Sequence, residues 1–328
     1  MLKFGIFGAG RIGVLHGRNI ARHHGAELAY VADPVNSAAE ALARETGAQV
    51  AETEAILADP SIDAVAIASS TDTHADLIEA AARAGKAIFC EKPVDLDSAR
   101  ARACLEVVAE CGVPLAIGFN RRFDPNFLAL HQALREGRIG KIELISITSH
   151  DPAPPPVEYV ARSGGLFRDF TIHDLDMACW LLGEEPVEVF AAGSCLVDPG
   201  IGQAGDIDTA ITVLKTGSGV LCQISNSRRA TYGYDQRIEV LGSGGMLRAG
   251  NPRETTLEQA DGSGFRRDKL MPFFMERYAE AYRLELTAFI EALEKGQAPG
   301  PTGEDGLRAL LLADAAQRSL ESGQPVRI

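Results

Sequence analysis

Six cysteines in 328 residues, none in a CxxC pair, give neither the ligand spacing of a zinc cage nor the density of a disulfide-stapled fold. They are Cys90, Cys104, Cys111, Cys179, Cys195 and Cys222, and their scatter suits a reducing, cytoplasmic setting with no metal site. Cationic charge is scarce too: 32 Lys and Arg face 45 Asp and Glu, a formal net charge of -13, without any extended basic block. Such a chain repels a polyphosphate backbone, which excludes nucleic acid as a partner. No apolar run is long enough to cross a bilayer. Met1 leads directly into Leu2-Lys3-Phe4-Gly5-Ile6-Phe7, without the charged and long apolar regions of a signal peptide, so no membrane partner is expected. What is plentiful is apolar material: 46% hydrophobic residues supply more than one core in a chain of two-domain length.

The first third alternates strands and helices. Phe4-Gly5-Ile6-Phe7 reads as a buried strand that ends on Gly8-Ala9-Gly10-Arg11-Ile12-Gly13, after which a helical pattern runs to about residue 22. This is GxGxxG in the strand-to-helix setting it requires: a tight turn at Gly8, backbone approach to a pyrophosphate at Gly10, and close helix-on-strand packing at Gly13. A second strand at 28–32 ends in Asp33, twenty residues past Gly13, where a carboxylate accepts hydrogen bonds from an adenosine ribose. The carboxylate repels a 2′-phosphate and no Arg follows it, so NAD is the expected cofactor rather than NADP. Ser37-Ala38-Ala39-Glu40 reads as a capping box, and Thr71-Asp72-Thr73-His74 as the cap of a later helix. Strands at 64–68, 87–90 and 115–118 complete a doubly wound parallel sheet, whose ligands bind beyond the carboxyl ends of the strands. Ser69, Thr71 and His74 at one such end, and Glu91 and Lys92 at the next, are therefore candidate cofactor contacts alongside Gly8, Gly10, Arg11, Ile12, Gly13 and Asp33. Lys92, directly after a buried strand and followed by Pro93, is well placed to aim an ammonium at a cofactor-bound substrate. The Lys92-Pro93 bond is trans by default.

The pattern changes after Gly118, which puts a dinucleotide-binding domain at 1–119 and a second domain at 120–328, with terminal helices near 275–295 and 303–321 free to pack back on the first. Strands at 141–149, 187–196, 207–214, 219–227 and 236–242, joined by short turns, indicate an open and mostly antiparallel sheet in a second α/β domain. The richest segment is Gly164-Gly165-Leu166-Phe167-Arg168-Asp169-Phe170-Thr171-Ile172-His173-Asp174-Leu175-Asp176-Met177, one imidazole and three carboxylates among core-forming residues. As a regular helix it places Asp169 and His173 on one face with Asp176 near His173, while Asp174 points elsewhere. A carboxylate beside an imidazole orients a general base, so Asp169 and His173 join Lys92 as candidate catalytic groups, and Asp174 and Asp176 are assigned to helix and packing. Asn120, Arg122, His150, Tyr232 and Tyr234 offer the donors and acceptors that a hydroxyl-rich substrate needs, with Asp151 a weaker candidate.

Together, GxGxxG, Glu91-Lys92-Pro93, Gly118-Phe119-Asn120-Arg121-Arg122-Phe123-Asp124 and the Gly164 to Met177 segment make the chain resemble the glucose-fructose oxidoreductase, inositol dehydrogenase and MocA family over nearly its whole length. The pairing of EKP with DxxxH at this separation is specific, whereas GxGxxG is widely shared. The resemblance implies a cis-like peptide at EKP, dimers or tetramers formed through the open sheet, and roles for Lys92, for Asp169 in positioning substrate and for His173 as general base. It implies NAD-dependent oxidation of a ring hydroxyl of a cyclic polyol to a ketone, myo-inositol to scyllo-inosose foremost, in inositol catabolism. Scyllo-inositol, chiro-inositol and aldoses are alternatives within that chemistry. A non-catalytic dinucleotide-sensing protein and an NAD-dependent glycosidase are alternatives outside it.

Overall fold

A computed structural model describes residues 1–328 and divides them into two units, Met1–Asn120 with Tyr282–Leu310, and Arg121–Ala281 with Leu311–Ile328. In the first unit the chain alternates as β1 (Leu2–Phe7), α1 (Arg11–Arg22), β2 (Ala26–Ala32), α2 (Asn36–Thr46), β3 (Gln49–Val50), α3 (Thr53–Ala58), β4 (Ala64–Ile67), α4 (His74–Arg83), β5 (Ala87–Glu91), α5 (Ser98–Cys111) and β6 (Leu115–Gly118). The strands form one parallel sheet in the order β3-β2-β1-β4-β5-β6. All four residues of β4 and of β6 are buried, as strands covered on both faces must be. Strand order reverses between β1 and β4, which opens a crevice at their carboxyl ends.

Helix starts differ from the sequence expectation. Ser37 lies inside α2, whose N-cap is Val35, a residue with no side-chain acceptor to cap with; its own N–H is taken by the Asp33 carboxylate at 2.7 Å. Thr71–Thr73 form a 3-10 turn instead of a cap, and the Thr73 hydroxyl donates back to the Ser70 carbonyl at 2.7 Å. The core of this unit gathers Phe4, Ile6, Ile20, Leu28, Val31, Leu42 and Phe89 with Leu286, Phe289 and Ile290 from the later segment. Phe4 and Phe89 each meet the Phe289 ring edge-on, at 6.2 and 5.7 Å between centroids. Full burial of each such side chain contributes about 1.5–3 kcal/mol, which explains why residues so distant in sequence return to this sheet.

From Asn120 the chain runs as a 3-10 turn at Asn120–Phe123, then α6 (Pro125–Arg135), β7 (Ile142–His150), α7 (Val157–Ser163), α8 (Ile172–Leu182), β8 (Pro186–Ser194), α9 (Pro199–Gln203), β9 (Thr209–Thr216), β10 (Leu221–Ser227), β11 (Asp235–Gly242), β12 (Gly245–Ala249), the hairpin β13 (Glu258–Asp261) and β14 (Gly264–Arg267), α10 (Phe274–Arg277), α11 (Ala279–Glu294), α12 (Gly303–Ser322) and β15 (Val326–Arg327), with α11 from Tyr282 on and α12 up to Leu310 counted in the first unit and the rest in the second. Seven strands pair in the order β12-β11-β7-β10-β9-β8-β15. All pairs are antiparallel except β7 with β10, which run parallel because the chain leaves β7 through α7 and α8, enters at β8 and meanders back. The strands alternate buried and exposed residues, so one face is core, and the other leaves Phe190, Ile211, Leu221, Leu241 and Met246 exposed. No helix is long and apolar enough to cross a membrane. The Lys92–Pro93 peptide is cis, as the resemblance implies.

Candidate functional site

The glycines of the first unit act as their spacing demands. Gly8 has φ of 99°, and a Cβ there would meet the Ala68 carbonyl oxygen at 2.5 Å. A Cβ on Gly13 would lie 2.0 Å from the Gly8 carbonyl oxygen, so α1 packs against the turn only with glycine at that position. A Cβ on Gly10 would meet nothing within 4 Å, so that side of its backbone is open to an incoming group. Directly behind it α1 starts with no side-chain cap bond and no acidic residue in its first turn, so its N–H groups and positive dipole end suit a pyrophosphate. A cavity of about 1030 Å³ adjoins this turn and is lined by Gly8, Gly10, Asp33 and Ser69 among the expected residues, and by Asn36, Ser70 and Thr73, which sequence reading passed over. Asp33 is held by the Ala9 N–H at 2.6 Å and the Val35 N–H at 2.7 Å, which fixes a carboxylate at the end of β2 for two ribose hydroxyls. These features fit an adenine dinucleotide without a 2′-phosphate.

Around β4 and β5 the other expected cofactor residues brace the cradle. His74 is 1% exposed; its Nδ1–H donates to the Pro93 carbonyl at 2.7 Å, while Nε2 lies 3.2 Å from the Ser69 carbonyl oxygen. Burial lowers its pKa against the pull of those carbonyls, so it stands as a neutral brace between two loops. Glu91 accepts a hydrogen bond from His16 Nε2 at 2.7 Å, and Lys92 follows it at the strand end, half-buried. Asn120 is buried at the end of this unit, and Thr71 stands in the 3-10 turn.

In the second unit Gly164 and Gly165 adopt φ of 86° and 83°, ending α7 and releasing the chain into a π-helical turn, Phe167–Thr171, that runs into α8. Asp169 therefore sits in a wide turn instead of the regular helix expected, a device common at functional sites. Two donors the sequence reading missed hold its carboxylate: the Tyr159 hydroxyl at 2.8 Å and the Arg228 guanidinium at 3.3 Å. The guanidinium had no local signal, since it arrives from 59 residues away. In α8, every residue from 172 to 179 is buried except His173, which is half-buried.

The remaining carboxylates are committed to ion pairs. Asp174 accepts from the Arg121 guanidinium at 2.5 Å and from the Asn226 amide at 2.8 Å, all three buried. Asp176 is gripped by Arg122 through two bonds of 2.9 and 2.5 Å, so it pairs with that guanidinium rather than flanking His173. Arg122, expected to meet substrate, is thereby oriented and also faces the Trp180 ring at 6.0 Å. At the end of β7, His150 Nε2 lies 3.1 Å from the Ser225 hydroxyl and Nδ1 3.4 Å from the Tyr232 hydroxyl, while Tyr232 donates to Asp235 at 2.7 Å. Burial lowers the His150 pKa, and burial followed by the Asp235 bond pushes the Tyr232 phenol up to about 12, so both are neutral polar groups near pH 7. Tyr234 is buried, with its phenol well above the usual range for the same first reason. Asp151 is pushed up to about 7 by burial, against the Arg228 and Arg121 charges, which makes it the carboxyl of this unit poised to exchange a proton near neutrality.

The chain matches the family models described as an oxidoreductase family NAD-binding Rossmann fold over residues 2–119 and an oxidoreductase family C-terminal alpha/beta domain over residues 131–328. It is 55% identical over 327 residues to an inositol 2-dehydrogenase of Rhizobium meliloti, covering 100% of this chain and 99% of that one. It is 46% identical to a myo-inositol 2-dehydrogenase of Thermotoga maritima, covering 100% and 98%. The crystal structure of scyllo-inositol dehydrogenase from Lactobacillus casei with bound NAD(H) and scyllo-inositol superposes with a TM-score of 0.93 at 33% identity, covering 100% and 99%.

Proposed function

The chain belongs to the glucose-fructose oxidoreductase, inositol dehydrogenase and MocA family of NAD-dependent dehydrogenases acting on polyols, and from that premise we propose that it oxidises myo-inositol at one ring hydroxyl to the ketone scyllo-inosose. When bound, NAD supplies a nicotinamide ring that accepts the hydride from the carbinol carbon. The remaining chemistry falls to this chain's side chains. His173, the partly buried member of an otherwise buried stretch of α8, takes the hydroxyl proton on an imidazole nitrogen as the carbonyl forms. The Lys92 ammonium stabilises the alkoxide oxygen that develops, and Asp169, fixed by Tyr159 and Arg228, orients a neighbouring hydroxyl. Asn120, Arg122, His150, Tyr232 and Tyr234, with Asp151, supply the polar contacts for the other ring hydroxyls. The observation that carries this reading is the full-length likeness to an inositol 2-dehydrogenase in a chain that keeps the lysine, aspartate and histidine its reaction needs. The apolar residues left exposed on the open sheet support assembly into a homo-oligomer through that face, in the cytoplasm.

Myo-, scyllo- and chiro-inositol and the common aldohexoses, assayed for nicotinamide reduction with NAD and with NADP, test the reading. The highest kcat/KM is expected for myo-inositol with NAD, and at least about tenfold less with NADP because Asp33 repels the extra phosphate. A preference for scyllo-inositol would move the substrate to that isomer, which the Lactobacillus casei likeness makes the second reading. Absence of reduction with every polyol would overturn the dehydrogenase assignment of substrate altogether.

A further inference from the structure

Among the buried acids that the mechanism does not use, Glu285, on α11, is 2% exposed and has neither carboxyl oxygen paired. It lies in the first unit with His16 of α1 and Glu91 of β5, and one ligand atom from each falls within 4.8 Å of the others. His16 is 0% exposed and boxed by the rings of Phe89 and Tyr282, at 5.0 and 5.8 Å. Room for the Glu91 carboxylate exists because residue 118 is glycine: a Cβ there would stand 3.1 Å from Glu91 Oε1.

A divalent cation is one occupant such donors suggest, but the His16 ring is bonded straight to Glu91 at 2.7 Å, a histidine-carboxylate hydrogen bond rather than a pair spread around an ion. A proton serves the same electrostatic need. Two ionised carboxylates in one apolar pocket repel without water to screen them. Burial, and then the Glu91 charge, push the Glu285 carboxyl well above its ordinary range, leaving it an O–H to donate. Glu91 has lone pairs to accept it, on an oxygen that lies within 4.8 Å.

We propose that Glu285 is a positioning residue for hydride transfer: it shares a proton with Glu91, and the resulting His16–Glu91–Glu285 triad fixes the end of β5 from which Lys92 departs. The triad ties the helix of the GxGxxG turn to the strand that presents the lysine, so it acts through Lys92 and rests on the role given to that residue. The titratable groups around Glu285 are Glu91 with the adjoining Cys90 thiol on β5, His16 on α1 and Tyr282 on its own helix. Since the protonated form of Glu285 is the bonded one, the triad is intact at neutral pH and is lost as pH rises through the Glu285 ionisation.

The test measures kcat, NAD affinity and metal content for the wild-type enzyme, Glu285→Leu and Glu285→Gln, with turnover followed from pH 6 to alkaline conditions. Glu285→Leu is expected to lose roughly ten- to a hundredfold in kcat while keeping NAD affinity, the size of effect that a small misplacement of a reacting group produces. Glu285→Gln, whose amide donates to Glu91 and cannot ionise, restores neutral turnover and lacks the alkaline decline of the wild type. Wild-type kcat in the leucine variant overturns the proposal. So does a glutamine variant as slow as the leucine one, or a stoichiometric metal ion in the purified enzyme. If the leucine variant does not fold, the pH profile of the glutamine variant decides: an alkaline decline identical to wild type overturns the proposal. Lys92→Ala, assayed in parallel, separates the two readings. Wild-type turnover there removes the lysine role and the proposal with it, whereas an inactive Lys92→Ala beside a fully active Glu285→Leu overturns Glu285 alone.

Discussion

His173→Ala lowers kcat by about a hundredfold to ten-thousandfold while leaving NAD affinity unchanged, the range expected for loss of a general base from an alcohol oxidation. That loss corresponds to about 3–5 kcal/mol of transition-state stabilisation. The prediction rests on exposure and context: His173 is the residue of α8 between 172 and 179 that is not buried, and it follows by one turn an aspartate held by two donors. A histidine kept for packing would cost stability on removal and leave kcat per folded enzyme as it was. Nicotinamide reduction under saturating myo-inositol and NAD, with NAD binding measured separately by fluorescence, distinguishes the outcomes. Turnover in the variant equal to wild type would remove His173 from the mechanism.

Arg121→Met destabilises the second unit by about 3–5 kcal/mol, the cost of leaving a buried charge without its counterion. Arg121 donates to Asp174 at 2.5 Å and to the Ser149 hydroxyl at 3.0 Å, and its guanidinium faces the Tyr278 ring at 5.7 Å, all inside one unit. Removing the arginine strands Asp174, which retains Asn226 as a donor but no positive charge. The sign differs when both partners go: Arg121→Met with Asp174→Leu is expected to recover much of the loss, since an apolar pair of similar volume has no desolvation penalty to meet. Calorimetry resolves the transition of this unit for the single and double variants. A single variant within about 0.5 kcal/mol of wild type would show that the pair carries little stability.

Local signals in the chain were legible. The glycine turn and Asp33 follow from residues a few positions apart, and the close approaches at Gly8 and Gly13 give that spacing a steric meaning, whereas the cis Lys92–Pro93 bond, trans by default from the residues alone, came only with the family resemblance. What depends on distant partners was not. Parallel pairing of β7 with β10 is decided by where a crossover through α7 and α8 returns, which no local pattern encodes. The carboxylates of Asp174 and Asp176 read as helix and packing residues because their guanidinium partners, Arg121 and Arg122, lie more than fifty positions earlier. Arg228 escaped notice for the same reason; Tyr159 lies ten residues before Asp169 but across the glycine break that ends α7, and the π-turn at Asp169 has no period that a helical pattern reveals. Ser37 shows the converse case: a good local capping pattern lies inside a helix that already starts at Asn36.

The reaction itself is tested most directly by tracing the hydrogen on the oxidised carbon. With myo-inositol deuterated at that carbon and NAD, deuterium should be recovered at C4 of the reduced nicotinamide, with ketone and reduced cofactor formed in equal amounts. Deuterium released to water, or turnover without accumulation of reduced cofactor, would contradict a net hydride transfer and point to a transient oxidation of the glycosidase kind.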